Sequence, residues 1–334
     1  MPLVLVGIDE AGYGPLLGPL TVAGAAVRVE SWTEGDAAPD LWTLLSGAVC
    51  REARDAKSRL PVADSKRLKL ANSVTTRHPL IHLEGAPLAL LKLMHGQLPA
   101  DCHQLFTLLG VDLGATSPPW YAGSAQPLPV GRSAPALSIH ANLLGGVMDR
   151  AGIEPLGLWC RALRESTFNS IIQETGTKAE ATASVIGEYL RHAFECWGDG
   201  SRGSLRVVCD RQGGRTSYAP MIAREVRGAG VTVMEESARC SQYEVKHRAR
   251  RMVVTFMPEA ESAHLPVALA SMVAKLVREL SMARFNAYWC ARAREVAGID
   301  LKPTAGYRQD AARWLEDAKA IVSPDERLAM IRIA

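Results

Sequence analysis

Leu3-Val-Leu-Val-Gly-Ile-Asp-Glu-Ala-Gly-Tyr-Gly-Pro-Leu-Leu-Gly-Pro19 changes character abruptly at its midpoint. Leu3 to Ile8 is a short continuous apolar run, as in a β-strand covered on both faces. It breaks into two carboxylates, Asp9 and Glu10, and then into glycine and proline. Leu20 to Val29, small and β-branched, predicts a second strand after a tight connection. A dinucleotide-loop reading of Gly12 to Gly18 fails, because Pro15 and Pro19 remove N–H donors. Nor does an amphipathic helix follow to offer its dipole to a phosphate.

Working outward, the strand-then-acid pattern recurs at Ser204-Leu-Arg-Val-Val-Cys-Asp210. Leu156–Trp159 and Gly230–Met234 predict further strands, and Tyr243–Val245 with Met252–Phe256 a basic hairpin. Lys178 to Trp197 repeats apolar residues at helical spacing: Ala181, Val185, Ile186, Tyr189, Leu190, Ala193 and Phe194. From Val267 to about Val296 a helix runs without Gly or Pro. Pro266 stands just ahead, where a missing N–H costs nothing. Small residues in its first turns (Ala268, Ala270, Ser271, Ala274) allow close approach to a sheet. Helical patterning also appears within 33–60, through Leu41, Leu44, Leu45 and Val49, and Asp64-Ser-Lys-Arg-Leu-Lys69 follows as a polar turn. Thr116 to Ala136 holds five prolines and predicts no regular element. It falls in a stretch, 96–150, whose character suggests an insertion serving as a lid or partner surface. Strands alternating with helices argue for an α/β layered fold.

The chain has 334 residues, 48% hydrophobic and 22% charged, which excludes a disordered or collagen-like chain. The apolar stretch Pro15–Val27 is too interrupted to span a membrane, and the N-terminus lacks a basic signal region. Seven scattered cysteines without a CxxC pair fit reduced thiols in a cytoplasmic protein. The net charge of +3 is uneven. Leu205 to Met257 carries ten Lys/Arg against five Asp/Glu, leaving −2 for the rest. Such a segment suggests a face for a polyanion, or simply a solvated hairpin.

Asp9, Glu10 and Asp210 each follow a strand, and Glu261 lies six residues before Val267. Groups just past strand ends converge on one rim of an α/β sheet. Gathered carboxylates repel one another unless cations neutralise them. Oxygen donors without His or Cys suit Mg²⁺ or Mn²⁺, and the chemistry they best support is two-metal phosphodiester cleavage. Taken singly, each acid could equally be a helix cap or an exposed turn residue.

Several blocks together resemble the type 2 ribonuclease H family (ribonuclease HII). Gly7–Pro19 is similar to its opening signature and Ala63-Asp-Ser-Lys-Arg-Leu68 to its second block. Arg164-Glu-Ser-Thr-Phe-Asn169 faintly matches its Glu–Asn segment, and Val207-Val-Cys-Asp210 its third acidic strand end. Val267-Ala-Leu-Ala-Ser-Met-Val-Ala-Lys275, followed by Arg278-Glu279, looks like its alanine-rich block, and Gly306-Tyr307 like its late Gly–Tyr pair. The resemblance implies a ribonuclease H-like mixed β-sheet flanked by helices. A single catalytic domain over 1–334 would be interrupted at about 96–150 and end in a helical part, about 267–334.

It also implies a four-carboxylate metal site, Asp9, Glu10, Asp210 and Glu261, holding Mg²⁺ or Mn²⁺. The implied substrate is the RNA strand of an RNA–DNA hybrid or a ribonucleotide-containing duplex. Gly12, Tyr13, Gly14, Ser65, Lys66, Lys275 and Tyr307 would contact it, the glycines bringing backbone close to the ribose 2′-hydroxyl. Tyr13 stands where the family has a basic residue, and Glu261 where it has Asp. Two other readings use the same residues. One is a structure-specific nuclease gripping DNA or RNA with the basic hairpin 243–256. The other is a non-catalytic nucleic-acid-binding relative.

Overall fold

The computed structural model describes residues 2–113, 118–123 and 125–333. Its strands are β1 (Leu3–Ala11), β2 (Leu20–Val29), β3 (Val49–Cys50), β4 (Leu60–Pro61), β5 (Ile153–Leu163), β6 (Ser204–Asp210), β7 (Gly230–Glu236), β8 (Ser241–His247) and β9 (Arg250–Met257). The helices of the first half are α1 (Leu41–Leu44), α2 (Ser65–Leu68), α3 (Gly85–His95), α4 (Cys102–Leu109) and α5 (Ala134–Ala151). The second half adds α6 (Glu165–Thr175), α7 (Lys178–Trp197), α8 (Ala219–Glu225), α9 (Ala260–Ala263), α10 (Leu265–Ala297), α11 (Arg308–Asp317) and α12 (Pro324–Met330).

Seven strands form one mixed sheet in the order β5-β2-β1-β6-β9-β8-β7. β1, β6 and β9 run parallel, while β2 and β8 run against them. Helices cover both faces, so the architecture is the expected α/β mixed sheet. Because side chains alternate faces along a strand, β1 serves two cores. Leu3 and Leu5 join α10 on one side, and Val4, Val6 and Ile8 join α7 and α8 on the other. That is why Leu3–Ile8 is continuously apolar. α10 lies very close to β1: a Cβ added at Gly7 would fall 2.2 Å from the Pro266 carbonyl carbon.

Several expectations are corrected. Within 33–60 the helical pattern yields the one-turn α1, a 3-10 turn at Ala53–Asp55 and the two-residue strands β3 and β4. The strand expected at Leu156–Trp159 runs the full length of β5. Within 96–150, α4 and α5 are regular helices whose Leu105 and Leu137 are buried in the α10-side core. Part of the Pro-rich stretch packs on the core. Trp120 packs against Phe285 and Trp289 of α10, and the Tyr121 carbonyl accepts from Arg284 at 3.0 Å. Residues 114–117 and 124 of that region lie outside the described residues.

β8 and β9 do pair as a hairpin, His247 opposite Arg250. However, β9 runs parallel to β6, with Asp210 opposite Met257. The hairpin turn therefore lies at the far rim from Asp210. Arg251 stands six residues back along β9, about 20 Å by strand rise. Lys246 to Arg251 are therefore not gathered beside the acids.

Candidate active site

Parallel pairing of β1 with β6 sets Ile8 opposite Cys209, so Asp9 and Asp210 leave neighbouring strands at one rim. By strand alternation both fall on the α10 face. Asp9 Oδ1 accepts from the Glu10 N–H at 2.7 Å. Beyond β9 the chain turns through Glu259, which is left-handed at φ 53°, into α9. There the Ala260 N–H donates to Asp210 Oδ1 at 3.1 Å, which brings the next residue, Glu261, to the same rim. From the other side, Asp64 caps α2 by accepting from the Lys66 N–H at 3.0 Å. Ser65 is tied to α10 by a 3.0 Å hydroxyl bond from Ser271.

These elements enclose a cavity of about 250 Å³. Asp9, Glu10, Gly12, Tyr13, Gly14, Ser65, Lys66, Asp210, Glu261, Lys275 and Tyr307 all line it. Every candidate from the sequence is thus brought to one place. Asp64 and Ser271 also line the cavity, though the sequence does not mark either as a site residue. The available signal was adjacency, since each lies inside a motif block.

The electrostatics are those of crowded carboxylates. Burial, then the neighbouring Glu10, holds Asp9 well above the usual carboxylate range. Burial and the Asp210 charge push Glu10 up to about 7. Asp210 and Glu261 are raised as well, chiefly by burial. Lys66 opposes this, its charge lowering Glu10, Asp210 and Glu261. Lys275 is more committed, because it is buried and paired with Glu279 at 2.7 Å.

Among the described residues no three His, Cys, Asp or Glu side chains stand close enough to cage an ion. In kind, the donors nonetheless fit a hard divalent cation. They are all oxygen, they repel one another, and Glu261 Oε2 is buried without a hydrogen-bond partner.

The loop between β1 and β2 bears the cavity's other wall. Gly12 has φ 88°, and a Cβ there would meet the Arg278 side chain at 2.7 Å. A Cβ at Gly14 would meet nothing within 4 Å, so packing does not demand glycine there. Tyr13 and Tyr307 are exposed at 41% and 50%, large rings left open beside the acids. Arg278, buried in α10, donates to the carbonyls of Leu17 and Pro19. Glu165 accepts from the Gly18 N–H at 2.9 Å.

No protein-family model matches the chain, and neither does any curated protein. Solved structures do. A chain of the PCNA:RNase HII complex from Archaeoglobus fulgidus is 14% identical, with 99% of this chain and 94% of that one covered, at a TM-score of 0.41. Bst-RNase HIII in complex with Mn²⁺ is 16% identical over 99% of this chain and 66% of its own, at 0.39. Aquifex aeolicus RNase H3 is 14% identical over 98% and 71%, at 0.37. Each of these alignments runs along nearly the whole of this chain. It spans about two thirds of the Bst-RNase HIII chain. Among the described residues, no helix is long and apolar enough to cross a membrane.

Proposed function

We propose that this chain hydrolyses phosphodiesters in the RNA strand of an RNA–DNA hybrid or ribonucleotide-containing duplex, with Mg²⁺ or Mn²⁺ held by Asp9, Glu10, Asp210 and Glu261. The observation that carries the reading is the shared cavity: four mutually repelling carboxylates, a lysine and a glycine-flanked loop on one wall system. The motif blocks that resemble ribonuclease HII supply the choice of substrate.

Bound divalent ions would supply a hydroxide nucleophile and stabilise the leaving oxygen. The chain's own groups do the rest. The four carboxylates, raised chiefly by burial, would hold the ions through their oxygens. Lys66 is exposed beside three of them and can pair with a phosphate. Gly14, where a Cβ would meet nothing within 4 Å, lets a ribose approach the backbone, where the 2′-hydroxyl tells RNA from DNA. Tyr13 and Tyr307 offer flat faces to the neighbouring sugars. With Tyr13 in place of a cation, the loop recognises its substrate by hydrogen bonding and stacking more than by charge.

The test is cleavage with Mg²⁺ or Mn²⁺ of four substrates: a hybrid, a duplex with one ribonucleotide, plain DNA and a branched DNA. Cutting confined to the first two is the expected result. Cutting of plain or branched DNA instead would make the chain a structure-specific nuclease. Binding of all four without cutting would make it a non-catalytic relative.

A further inference from the structure

The segment that follows α12 returns beneath the loop of the proposed site. Arg332, only 2% exposed, lies 320 residues from its main partner in sequence. Its Nη1 donates to the Gly12 carbonyl at 2.6 Å and its Nη2 to the Tyr13 carbonyl at 2.6 Å. The guanidinium sits 4.1 Å from the centroid of the Phe168 ring. Its backbone is fixed on both sides. The Arg332 N–H donates to the Leu16 carbonyl at 2.9 Å. The Asn169 amide holds the Ile331 carbonyl and the Ile333 N–H at 2.8 Å each. Burying a charge is costly unless it is paired and hydrogen-bonded, and Glu165 is the nearby opposite charge.

Peptide geometry turns this anchorage into a statement about the cavity. In a planar trans peptide the C=O and the following N–H point in opposite directions. With the Gly12 and Tyr13 carbonyls drawn onto Arg332, the N–H groups of Tyr13 and Gly14 face away from it. Among the described residues neither N–H has a protein acceptor, and both residues line the cavity.

We infer that Arg332 is a positioning residue: by gripping two loop carbonyls it aims the Tyr13 and Gly14 N–H groups at the RNA strand, as donors to ribose or phosphate oxygen. This rests on the proposed function and deepens it, by naming what sets the donor geometry on the substrate side.

The experiment compares R332A and R332K with the wild-type chain. It measures kcat and KM on a hybrid, the preference for a ribonucleotide over a deoxynucleotide at the cut, and Mn²⁺ affinity by titration calorimetry. Loss of charge-assisted hydrogen bonds predicts a KM about tenfold higher and a weaker ribonucleotide preference in R332A. R332K, with charge but no fork, should recover part of both. Mn²⁺ affinity should stay within about twofold, because Asp9 and Asp210 are held by β1 and β6 and not by the loop. An unchanged KM and preference in folded R332A overturns the inference. So does a parallel loss of kcat, hybrid affinity and Mn²⁺ affinity, which marks a merely structural arginine. If R332A does not fold, R332K decides by the same criteria. A wild-type chain that neither binds nor cuts the hybrid, with or without Mn²⁺, sinks the proposed function itself, and the inference with it.

Discussion

The two rims of the sheet carry opposite charge in opposite states. At the rim where β1, β6 and β9 end, carboxylates crowd into a cavity and raise one another's pKa. At the rim where β6 and β9 begin, cations dominate but most are already engaged. Arg251 is paired with Glu34 at 2.6 Å and Glu244 at 2.8 Å, and Lys246 with Glu244 at 2.6 Å. Arg250 donates to the carbonyls of Phe194 and Glu195, and Arg206 to that of Asp36 while covering the Trp32 ring. Unsatisfied charge, more than charge itself, marks a place that needs a ligand. By that measure the acidic rim is the candidate site and the basic rim a largely self-satisfied surface.

The sharpest way to break this contrast is to remove a charge from the acidic rim. Asp210→Asn keeps shape and can still accept from the Ala260 N–H, so the fold should persist. If Asp210 holds a cation, cleavage should fall about a thousandfold, the loss of several kcal/mol of charge stabilisation. Steady-state kinetics beside a circular dichroism melt separates the two outcomes, and unchanged cleavage would remove Asp210 from the site.

The crowding also predicts how stability depends on pH without divalent ions. Glu10 rises from 4.5 to about 7 on folding. Between those values the folded state holds a proton that the unfolded chain has released, so stability falls as pH rises through that window. For Glu10 alone the swing is about 3 kcal/mol, and Asp9, Asp210 and Glu261 act in the same direction. Urea melts from pH 4.5 to 7.5 should show the decline, Glu10→Gln should flatten it, and Mn²⁺ should restore stability most at the upper end. Stability that instead rose across the window would mean that the acids are already neutralised within the chain.

Much of this rim was legible in the sequence, because local patterns encode it. A strand running into acid, twice over, placed Asp9, Glu10 and Asp210 at one rim. Helical periodicity identified Lys178–Trp197, which is α7 residue for residue. What was not legible depends on register and on distant partners. The basic run looked like one face, yet the parallel pairing of β9 with β6 carries Lys246 to Arg251 to the far rim. Arg332 has no local signal at all, since its hydrogen-bond acceptors lie at the opposite end of the chain. Asp64 resembled an ordinary turn residue and does cap α2, while its side of the cavity is set by the Ser65–Ser271 bond.

A smaller effect refines the acidic rim. A methyl group at Gly14 would have no neighbour within 4 Å, and φ there is not positive. Gly14→Ala should therefore raise stability slightly, by about 0.4–1 kcal/mol through the unfolded chain. If a ribose comes close to this backbone, the same methyl should weaken hybrid binding, by about tenfold. A gain in Tm together with a loss of affinity is the signature of glycine kept for a ligand. A gain in both would leave Gly14 outside the substrate path.

The smallest effect on hybrid binding is expected at the basic rim, where Arg248 sits at the hairpin turn with φ 54°, a conformation that costs a side chain energy. Arg248→Gly removes a charge and relieves that strain together. If the rim is self-contained, the variant should be more stable by about 1 kcal/mol. Hybrid affinity should stay within about twofold, with an unchanged slope against salt. A flatter salt dependence would instead show that a phosphate is lost with the arginine, and that a polyanion reaches both rims of the sheet. The strain would then have a function, because a turn that tolerates glycine would be holding an arginine for its charge.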